Sequence, residues 1–439
     1  MKRTILTILA TTAMVMGNAQ VLNCTLDQCI KLGLENNYSL RIIRNEEQID
    51  KNNATLANAG YLPELGLSAG YNGDLGSTSA TVRATGAKET TRNNFDNMLT
   101  AGVNLSWTIF DGFNTSTTYK QLKEIERMGE TETRIAVENF IAELASEYYN
   151  FIQQRRRLDN YRNAVKLSKE RLRIVEERYN IGSFSRLDYQ QAKVDFNADS
   201  AQYLKQQEIV ITSRIALNEL MAIKQVYTPI ETKEKDIDID STLNFERLWY
   251  DTFDKNASIL LADQSKTISN FDYKKAMSRF YPSLKLNAGY DYAFNHYSNS
   301  NYTLRQGWGG NVGITLGFKI WNGNEKREKR NAKIKIQNAE LQRDQIELAV
   351  KAELGNIWHA YQNNLQLARL EKHNVITARE NHDIAKERYM LGDLSGIEMR
   401  EAQQSLLEAE ERLLSVEFNA KICEISLMLI SGNISRYLK

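Results

Sequence analysis

The chain has 439 residues, of which 42% are hydrophobic and 25% are charged, and this composition is typical of an ordinary folded protein. Its 56 Lys and Arg residues against 55 Asp and Glu residues leave a net charge of +1, which argues against a nucleic-acid-binding protein. Bulk charge therefore does not select the partners of this protein.

The N-terminal segment, residues 1–19, predicts a cleaved secretory signal peptide. It begins with Lys2 and Arg3, continues with an apolar run and ends in small residues around Ala19. No later run of about 18 apolar residues exists, so the sequence predicts no membrane-spanning helix, and only strands could cross a membrane. Lipid attachment at Cys24 is disfavoured, because Asn23 stands where such a signal needs a small residue.

Two cysteines flank a predicted helix start. Thr25 and Gln28 have the spacing of a capping box, which places Cys24 just before the cap and Cys29 in the next turn, where their side chains are expected to meet. A simple packing contact explains this pattern. An exported compartment would also allow a disulfide, and both alternatives stay open.

The mature sequence divides into two similar halves. Helical patterns at residues 25–60 and 244–279 each lead to a proline, Pro63 or Pro282, which ends a helix. The predicted organisation is a signal peptide (1–19), a first repeat (20–222), an equatorial linker (223–243) and a second repeat (244–439). Each repeat holds a helix, two strands and a long helical hairpin.

Apolar and polar residues alternate in four segments, which predicts four strands of about ten residues with one apolar face each. The segments are residues 65–71, 103–109, 284–292 and 312–320, with polar loops predicted at 72–97 and 295–306. Strands of this kind are typical of outer-membrane barrels, although a water-exposed sheet on a soluble core is the alternative. Trp107, Phe110, Phe113 and Trp321 are predicted membrane-interface aromatic residues.

Four strands cannot close a barrel, since about eight strands make the smallest barrel that fills its own interior. Unpaired strand edges are not tolerated in lipid, so the chain must share its barrel with other copies. Two copies would give eight strands and three would give twelve. The alternation of apolar and polar residues in the strands favours neither number of copies.

Long helices are predicted at residues 115–179 and 324–389, each followed by a shorter return helix. Apolar residues recur every three or four positions between Leu158 and Tyr179, which indicates coiled-coil packing. Gly182 and Gly392 follow the long helices and suit a left-handed C-terminal cap, while Ser185 and Ser395 suit the N-cap of the return helix. Each pair of helices is therefore predicted to form a hairpin with a tight tip.

These residues together resemble the TolC family of outer-membrane efflux ducts. The motifs that carry the resemblance are the signal, the two halves, the proline before each strand pair, Phe110-Asp111-Gly112, Trp321-Asn322-Gly323 and the Tyr-x-x-Gly tips at Tyr179 and Tyr389. The resemblance implies a mostly helical fold with membrane strands: an internally duplicated chain whose homotrimer forms an α-barrel tunnel capped by a 12-stranded β-barrel. It also implies a Gram-negative outer-membrane location with a periplasmic extension, a periplasmic adaptor protein and an inner-membrane pump of RND or ABC type.

The candidate gate residues are carboxylates just past the tips. Glu398 and Glu401 lie three residues apart on one helix and so share a face, and threefold symmetry would turn each into a ring of negative charge. The resemblance implies that such rings constrict the closed channel. Asp188 is the matching residue of the first half and a candidate for an interhelical ion pair. The family's arginine after the tip glycine is replaced by Leu394, so Arg186 and Arg400 are the candidate partners.

The tips also carry candidate adaptor-docking residues, namely Arg178, Tyr179 and Gly182 in the first half and Arg388, Tyr389 and Gly392 in the second. Helix C-terminal charge and seam packing are the alternative explanation for the arginines and tyrosines. An ordinary solvated face is the alternative for the three carboxylates.

No motif predicts an enzyme, a cofactor or a metal site. The histidines, at positions 296, 359, 373 and 382, lack metal-ligand spacing, and no phosphate-binding glycine loop or nucleophile elbow occurs. The favoured function is a passive efflux or type I secretion duct in the outer membrane. A secreted coiled-coil scaffold or adhesin without a pore is the alternative, and the transported cargo is not encoded in any motif.

Overall fold

The computed structural model describes residues 22–298 and 303–438; the predicted signal peptide lies outside these ranges. The elements in chain order are β1 (Leu22–Cys24), α1 (Leu26–Asn36), α2 (Tyr38–Asn53), α3 (Leu56–Ala59), β2 (Glu64–Thr81), β3 (Lys88–Asp111), α4 (Asn114–Asn180), α5 (Arg186–Leu220), β4 (Ile230–Thr232), α6 (Phe245–Lys255), α7 (Ala257–Ser278), β5 (Ser283–His296), β6 (Leu304–Gly317), α8 (Gly323–Leu391), α9 (Gly396–Ile430) and a 3-10 turn (Ile434–Tyr437). Within the described ranges, no helix is both long and apolar enough to cross a membrane.

The chain forms two compact units. Among the described residues, one unit comprises 22–45, 131–260 and 345–438, and the other comprises 46–130, 261–298 and 303–344. The first, here the helical unit, holds the hairpin tips and the main apolar core. The second, here the sheet unit, holds β2, β3, β5 and β6.

The sheet unit contains one antiparallel sheet in the order β2-β3-β5-β6. Its registers align the predicted apolar positions on one face, as in the row formed by Leu65, Leu105, Ala288 and Val312. The exposed large apolar residues of the strands include Leu65, Leu67, Tyr71, Leu99, Val103, Trp107, Tyr290, Trp308, Val312, Ile314 and Leu316. An uncovered apolar face of this extent marks a surface that contacts lipid or protein rather than water.

The strands are longer in the first half than the sequence predicts. Most of the predicted polar loop at residues 72–97 is strand, because β2 extends to Thr81 and β3 begins at Lys88. Backbone pairing between the two strands sustains this hairpin even where its side chains are Thr, Ser and Asn. In the second half both strands are also longer than predicted, because β5 extends to His296 and β6 begins at Leu304, but β6 ends at Gly317 whereas the predicted strand ran to residue 320.

A β-bulge adjusts the aromatic end of β3. The pairing shifts between Thr108 and Phe110, and this shift places Phe110 opposite Leu284 on the apolar face. Phe113 packs edge-on against Phe110 with ring centroids 5.3 Å apart. The Trp107 indole N–H donates to the Tyr61 carbonyl at 2.9 Å, so its polar atom is satisfied at the edge of the apolar face.

Trp321, the remaining predicted interface residue, follows β6 outside any strand and is 80% exposed. The membrane-interface role of the four aromatic residues stays a prediction.

The turn after β3 requires glycine. Gly112 has a φ of +69°, and a Cβ atom there would lie 2.3 Å from the Ser278 carbonyl oxygen. Asp111 fixes the same turn, because its carboxylate accepts hydrogen bonds from the Thr115 backbone N–H at 2.9 Å and from the Thr115 hydroxyl at 2.7 Å.

Replacing Gly112 with alanine is therefore expected to lower the thermal unfolding temperature by several degrees. The left-handed backbone alone costs about 1–2 kcal/mol for alanine, and the backbone overlap adds to it. Gly66→Ala is the matched control, because a Cβ at Gly66 meets nothing within 4 Å. Equal unfolding temperatures for the two variants would contradict this account of the turn.

The predicted continuous helices at residues 25–60 and 244–279 were wrong, since each is interrupted by an asparagine. The Asn37 side-chain oxygen accepts from the Leu40 N–H at 3.2 Å and starts α2, while its amide donates to the Leu220 carbonyl at 3.1 Å. Asn256 repeats this arrangement with the Ile430 carbonyl at 2.9 Å. Each asparagine thus joins a new helix start to the last residue of a return helix.

The main core of the helical unit lies where α1, α4, α5, α8 and α9 meet β1 and β4. Its largest fully buried side chains include Tyr148, Phe151, Ile30 and Tyr361. The predicted irregular linker at 223–243 holds β4, which pairs in parallel with β1. The linker is therefore part of the core rather than a free tether.

Candidate functional site: the helical tips

Both predicted tips form as the sequence indicates. Gly182 and Gly392 adopt φ values of +79° and +90°, which only glycine accepts without strain. The Ser183 N–H then donates to the Arg178 carbonyl at 2.8 Å, and the Asp393 N–H donates to the Arg388 carbonyl at 3.0 Å. These bonds end the long helices and turn the chain into the return helices.

The return helices begin with two capping boxes. Ser185 caps α5 and Ser395 caps α9, and each serine exchanges hydrogen bonds with the acidic residue three positions later. Asp188 accepts from the Ser185 hydroxyl at 2.6 Å, and Glu398 accepts from the Ser395 hydroxyl at 2.8 Å. Two of the three candidate gate carboxylates therefore have a structural role as well.

The capping box changes the acidity of Glu398. The backbone and hydroxyl hydrogen bonds from Ser395 lower the pKa of Glu398 below its ordinary range, so this exposed carboxylate stays ionised in moderately acidic solution. Glu401, one turn further, is also exposed, and it has no ion-pair partner in the part of the chain that the structure describes.

Arg400 forms an interhelical ion pair, but its partner is Asp199 rather than Asp188. Its guanidinium nitrogens lie 2.6 and 2.7 Å from the two carboxylate oxygens of Asp199, which is the two-pronged geometry of a strong ion pair. The Asp199 side chain is only 8% exposed. Asp188 and Arg186, by contrast, form no ion pair anywhere in the described ranges.

Arg178 provides a second contact between the hairpins. Its guanidinium donates to the Met390 carbonyl at 2.9 Å, in the last turn of α8, and lies over the rings of Phe184 and Tyr389 at 5.2 and 5.8 Å. We call the Arg400–Asp199 ion pair and the Arg178–Met390 hydrogen bond the tip latch. Both contacts join α4 or α5 of the first hairpin to α8 or α9 of the second.

The tip residues predicted to bind an adaptor differ in exposure. Tyr389 is 2% exposed and packs in a small core with Val175, Ala192 and Met399. Burial raises the pKa of Tyr389, although the positive charges of Arg171 and Arg178 oppose this shift. Tyr179 is 37% exposed and stacks on Tyr189 with centroids 5.5 Å apart, and Arg388 is exposed.

A cavity of about 1170 Å³ lies between the two hairpins. Arg171, Asp195, Arg400 and Glu401 line it with charge, and Phe184 and Ile397 line it with apolar surface. Arg171 pairs with Asp195 on the return helix of the same hairpin. The tips are therefore held together by buried charge and by a small apolar core, with room between them.

Sequence reasoning missed Arg171, Asp195 and Asp199. A signal was present, because Ala192, Asp199, Gln206 and Ser213 are buried at intervals of seven along α5. Because three of these four buried residues are polar, a search for regularly spaced apolar residues does not find this seam. Arg171 similarly occupies a position between Ser168 and Val175 on the seam of α4.

The described residues contain no group of three or more His, Cys, Asp or Glu side chains that could hold a metal ion.

Comparison with known proteins identifies similar chains. The sequence profile of the family described as Outer membrane efflux protein matches residues 29–222 and 251–433. A relative, Outer membrane protein TolC of Vibrio cholerae serotype O1, is 19% identical over 387 residues, covering 87% of this chain and 84% of the relative.

Solved structures share the fold. The outer membrane protein VceC of Vibrio cholerae has a TM-score of 0.75 at 18% identity, over 93% of this chain and 96% of VceC. The CmeC outer membrane channel of Campylobacter jejuni has a TM-score of 0.76 at 20% identity, over 93% of this chain and 85% of CmeC.

Proposed function

Because the chain belongs to the outer membrane efflux protein family, we propose that it is the passive exit duct of a tripartite efflux or type I secretion system. As a family member it is an outer-membrane efflux channel of a Gram-negative bacterium and not an enzyme. In the proposal it assembles as a homotrimer, reaches into the periplasm and docks a periplasmic adaptor protein. An inner-membrane pump of RND or ABC type would supply the energy.

The observation that carries the proposal is the four-stranded sheet. Its apolar face is uncovered, and β2 and β6 each have one edge with no partner strand in the described sheet. Lipid would cover the face, but only strands of other copies can satisfy the edges within a membrane. Three copies would close a barrel of twelve strands, wide enough for a water-filled lumen.

The long helices support assembly from several copies. Ile334, Leu341 and Leu348 on α8 are 53%, 67% and 68% exposed and recur every seven residues. An exposed apolar stripe at this spacing is typical of a coiled-coil seam without its partner helix. Helices of a second copy would cover it in a tunnel.

Internal duplication belongs to the same proposal. The family profile matches the chain twice, once in each half. Asn37 and Asn256 make equivalent contacts to the ends of the two return helices, and the two tips carry equivalent capping boxes. A duplicated gene would account for these paired details.

The tips are proposed to be the gate. The tip latch holds the hairpins of one chain together, and Glu398 and Glu401 would form two acidic rings around the tunnel axis in a trimer. Opening would separate the hairpins and widen the rings. The exposed parts of the tips, including Arg388 and Tyr179, would remain available to an adaptor.

The first test is conductance in planar bilayers, together with the mass of the detergent-purified protein by native mass spectrometry. We expect a trimer with small, cation-selective current steps. A protein that stays soluble as a monomer or dimer without detergent, and carries no current, would contradict the proposal and favour the scaffold alternative.

Replacing both Glu398 and Glu401 with alanine is expected to raise the leak current and to weaken block by multivalent cations. The physical reason is the loss of two carboxylates per chain from the proposed rings. Currents and cation block equal to those of the wild type would remove both residues from the gate.

The pH dependence of the block provides a further readout of the same rings. Because the pKa of Glu398 is lowered, the part of the cation block that depends on Glu398 should persist as the pH falls through the ordinary glutamate range. This part should be lost only near the lowered pKa. Ser395→Ala is the matched variant. It keeps the backbone N–H, which lowers this pKa most, but removes the hydroxyl, which lowers it further, so it should move the loss part of the way to higher pH.

A further inference from the structure

The start of α1 holds two thiols against each other. Thr25 is the N-cap and forms a complete capping box with Gln28, so Cys24 precedes the cap and Cys29 begins the second turn. The Cys24 residue is 6% exposed and Cys29 is fully buried in the same core cluster. Cys24 and Cys29 therefore occupy the positions on either side of a helix start at which two side chains normally contact each other.

Contacts that do not involve the sulfurs fix both backbones. The Cys24 carbonyl accepts from the Tyr148 hydroxyl at 3.1 Å and from the Lys233 N–H at 3.3 Å, and β1 pairs Cys24 with Thr232. The Cys29 N–H donates to the Thr25 carbonyl at 3.0 Å within the capped helix. The fold therefore brings the two side chains together without needing a bond between them.

We propose that Cys24 and Cys29 are oxidised to a disulfide in the mature protein. A chain of the outer membrane passes through an exported compartment, where disulfides form and persist. The oxidant would be the disulfide of a thiol oxidoreductase in that compartment. This inference goes beyond the proposed duct, because it concerns how the core of the chain is secured.

The chemistry balances through two exchange steps. The thiolate of one cysteine attacks the donor disulfide, forms a mixed disulfide and releases one donor thiolate. The thiolate of the other cysteine then attacks the sulfur of the first and releases the second donor thiolate. The two cysteines lose two protons and two electrons, and the donor disulfide gains them as a dithiol.

Because Cys24 and Cys29 are both buried in the finished fold, the exchange must precede the docking of α1.

The third cysteine provides an internal reference. Cys423 is half-buried on α9 and accepts a hydrogen bond from the Asn364 amide at 3.7 Å rather than contacting another thiol. It should remain a free thiol while the other two are joined.

The test counts thiols in the wild-type protein isolated from the outer membrane. The protein is unfolded in urea with iodoacetamide and no reductant, and its alkylated cysteines are counted by mass spectrometry. We expect one alkylated cysteine, Cys423, and all three of the cysteines alkylated after prior reduction. Three alkylated cysteines without reductant would overturn the proposal, as would Cys24 or Cys29 carrying a small-molecule thiol.

Single variants assign the bond. Cys423→Ser should show no alkylated cysteine without reductant, and Cys24→Ser should show two, because Cys29 loses its partner. A trimeric, conducting protein with three free thiols would refute the disulfide and leave the proposed duct intact. A disulfide-linked protein without conductance would support the disulfide and contradict the proposed duct.

Discussion

Replacing Arg400 with alanine is expected to destabilise the closed tips by about 2–4 kcal/mol and to raise the leak current of the purified channel. The substitution leaves Asp199, whose side chain is 8% exposed, without its counter-ion. Since 1.4 kcal/mol corresponds to a factor of ten, the equilibrium between joined and separated hairpins should shift by about 30-fold to 700-fold in each chain. Single-channel recording at fixed voltage measures the leak.

A matched control separates this effect from a general loss of positive charge. Arg173 pairs with Glu177 at 2.9 Å on α4, but both side chains are more than 60% exposed, so Arg173→Ala should change little. Arg400→Ala combined with Asp199→Ala should recover part of the lost closure, because no unpaired charge remains buried. If Arg400→Ala and Arg173→Ala leak equally, the latch does not hold the tips.

Replacing Lys421 with alanine is expected to lower the free energy of unfolding of the whole helical unit by an amount comparable to the effect of Arg400→Ala on the tips. Lys421 and Glu424 are each about 5% exposed and lie 2.7 Å apart on α9. The ammonium group also lies over the rings of Tyr149 and Tyr437, at 4.9 and 5.5 Å. Removing it leaves a buried carboxylate without a positive partner, which costs about 3–5 kcal/mol.

The same carboxylate organises the end of the linker. Glu424 accepts from the Asp240 N–H at 2.9 Å and from the Tyr437 hydroxyl at 2.8 Å, so it joins the linker and the C-terminal turn to α9. Burial and the negative charge of Glu424 both raise the pKa of Tyr437, which keeps this hydroxyl a donor. The unpaired charge in Lys421→Ala should loosen all three segments together.

Thermal unfolding in detergent measures this prediction. Arg173→Ala is the control, since its ion pair with Glu177 is more than 60% exposed on both sides. Lys421→Met together with Glu424→Gln should be closer to the wild type than Lys421→Ala, because it removes both charges and keeps much of the side-chain volume. An unfolding temperature for Lys421→Ala equal to that of the Arg173 control would show that the pair is not important for stability.

Local signals explain what the sequence predicted well. Glycine at a left-handed position and serine before an acidic residue act within a few residues, and both tips followed from them. The apolar face of the sheet was predicted from the alternation of apolar and polar residues, which is visible within each strand alone. These features required no knowledge of the rest of the molecule.

Contacts between distant residues explain what was missed. Asn37 interrupts a good helical pattern because the carbonyl of Leu220, 183 residues away, needs a donor. Asp199 looks like a solvated residue until Arg400, 201 residues away, is placed beside it. Neither partner can be identified from the spacing of residues in the sequence, so the tip latch is visible only in the folded structure.

The two asparagine joints also allow the lengths of the two halves to be compared. Asn37 lies 183 residues before its carbonyl partner and Asn256 lies 174 residues before its own, so the halves differ by nine residues. Eight of these fall between the proline and the turn glycine of each half, since Gly112 lies 49 residues after Pro63 and Gly323 lies 41 residues after Pro282.

The segments from Gly182 to Leu220 and from Gly392 to Ile430 have equal length. The difference in length thus lies mainly in the strand hairpins, whereas the return helices match. A single extra residue in a return helix would rotate every tip side chain by about 100° relative to its asparagine joint.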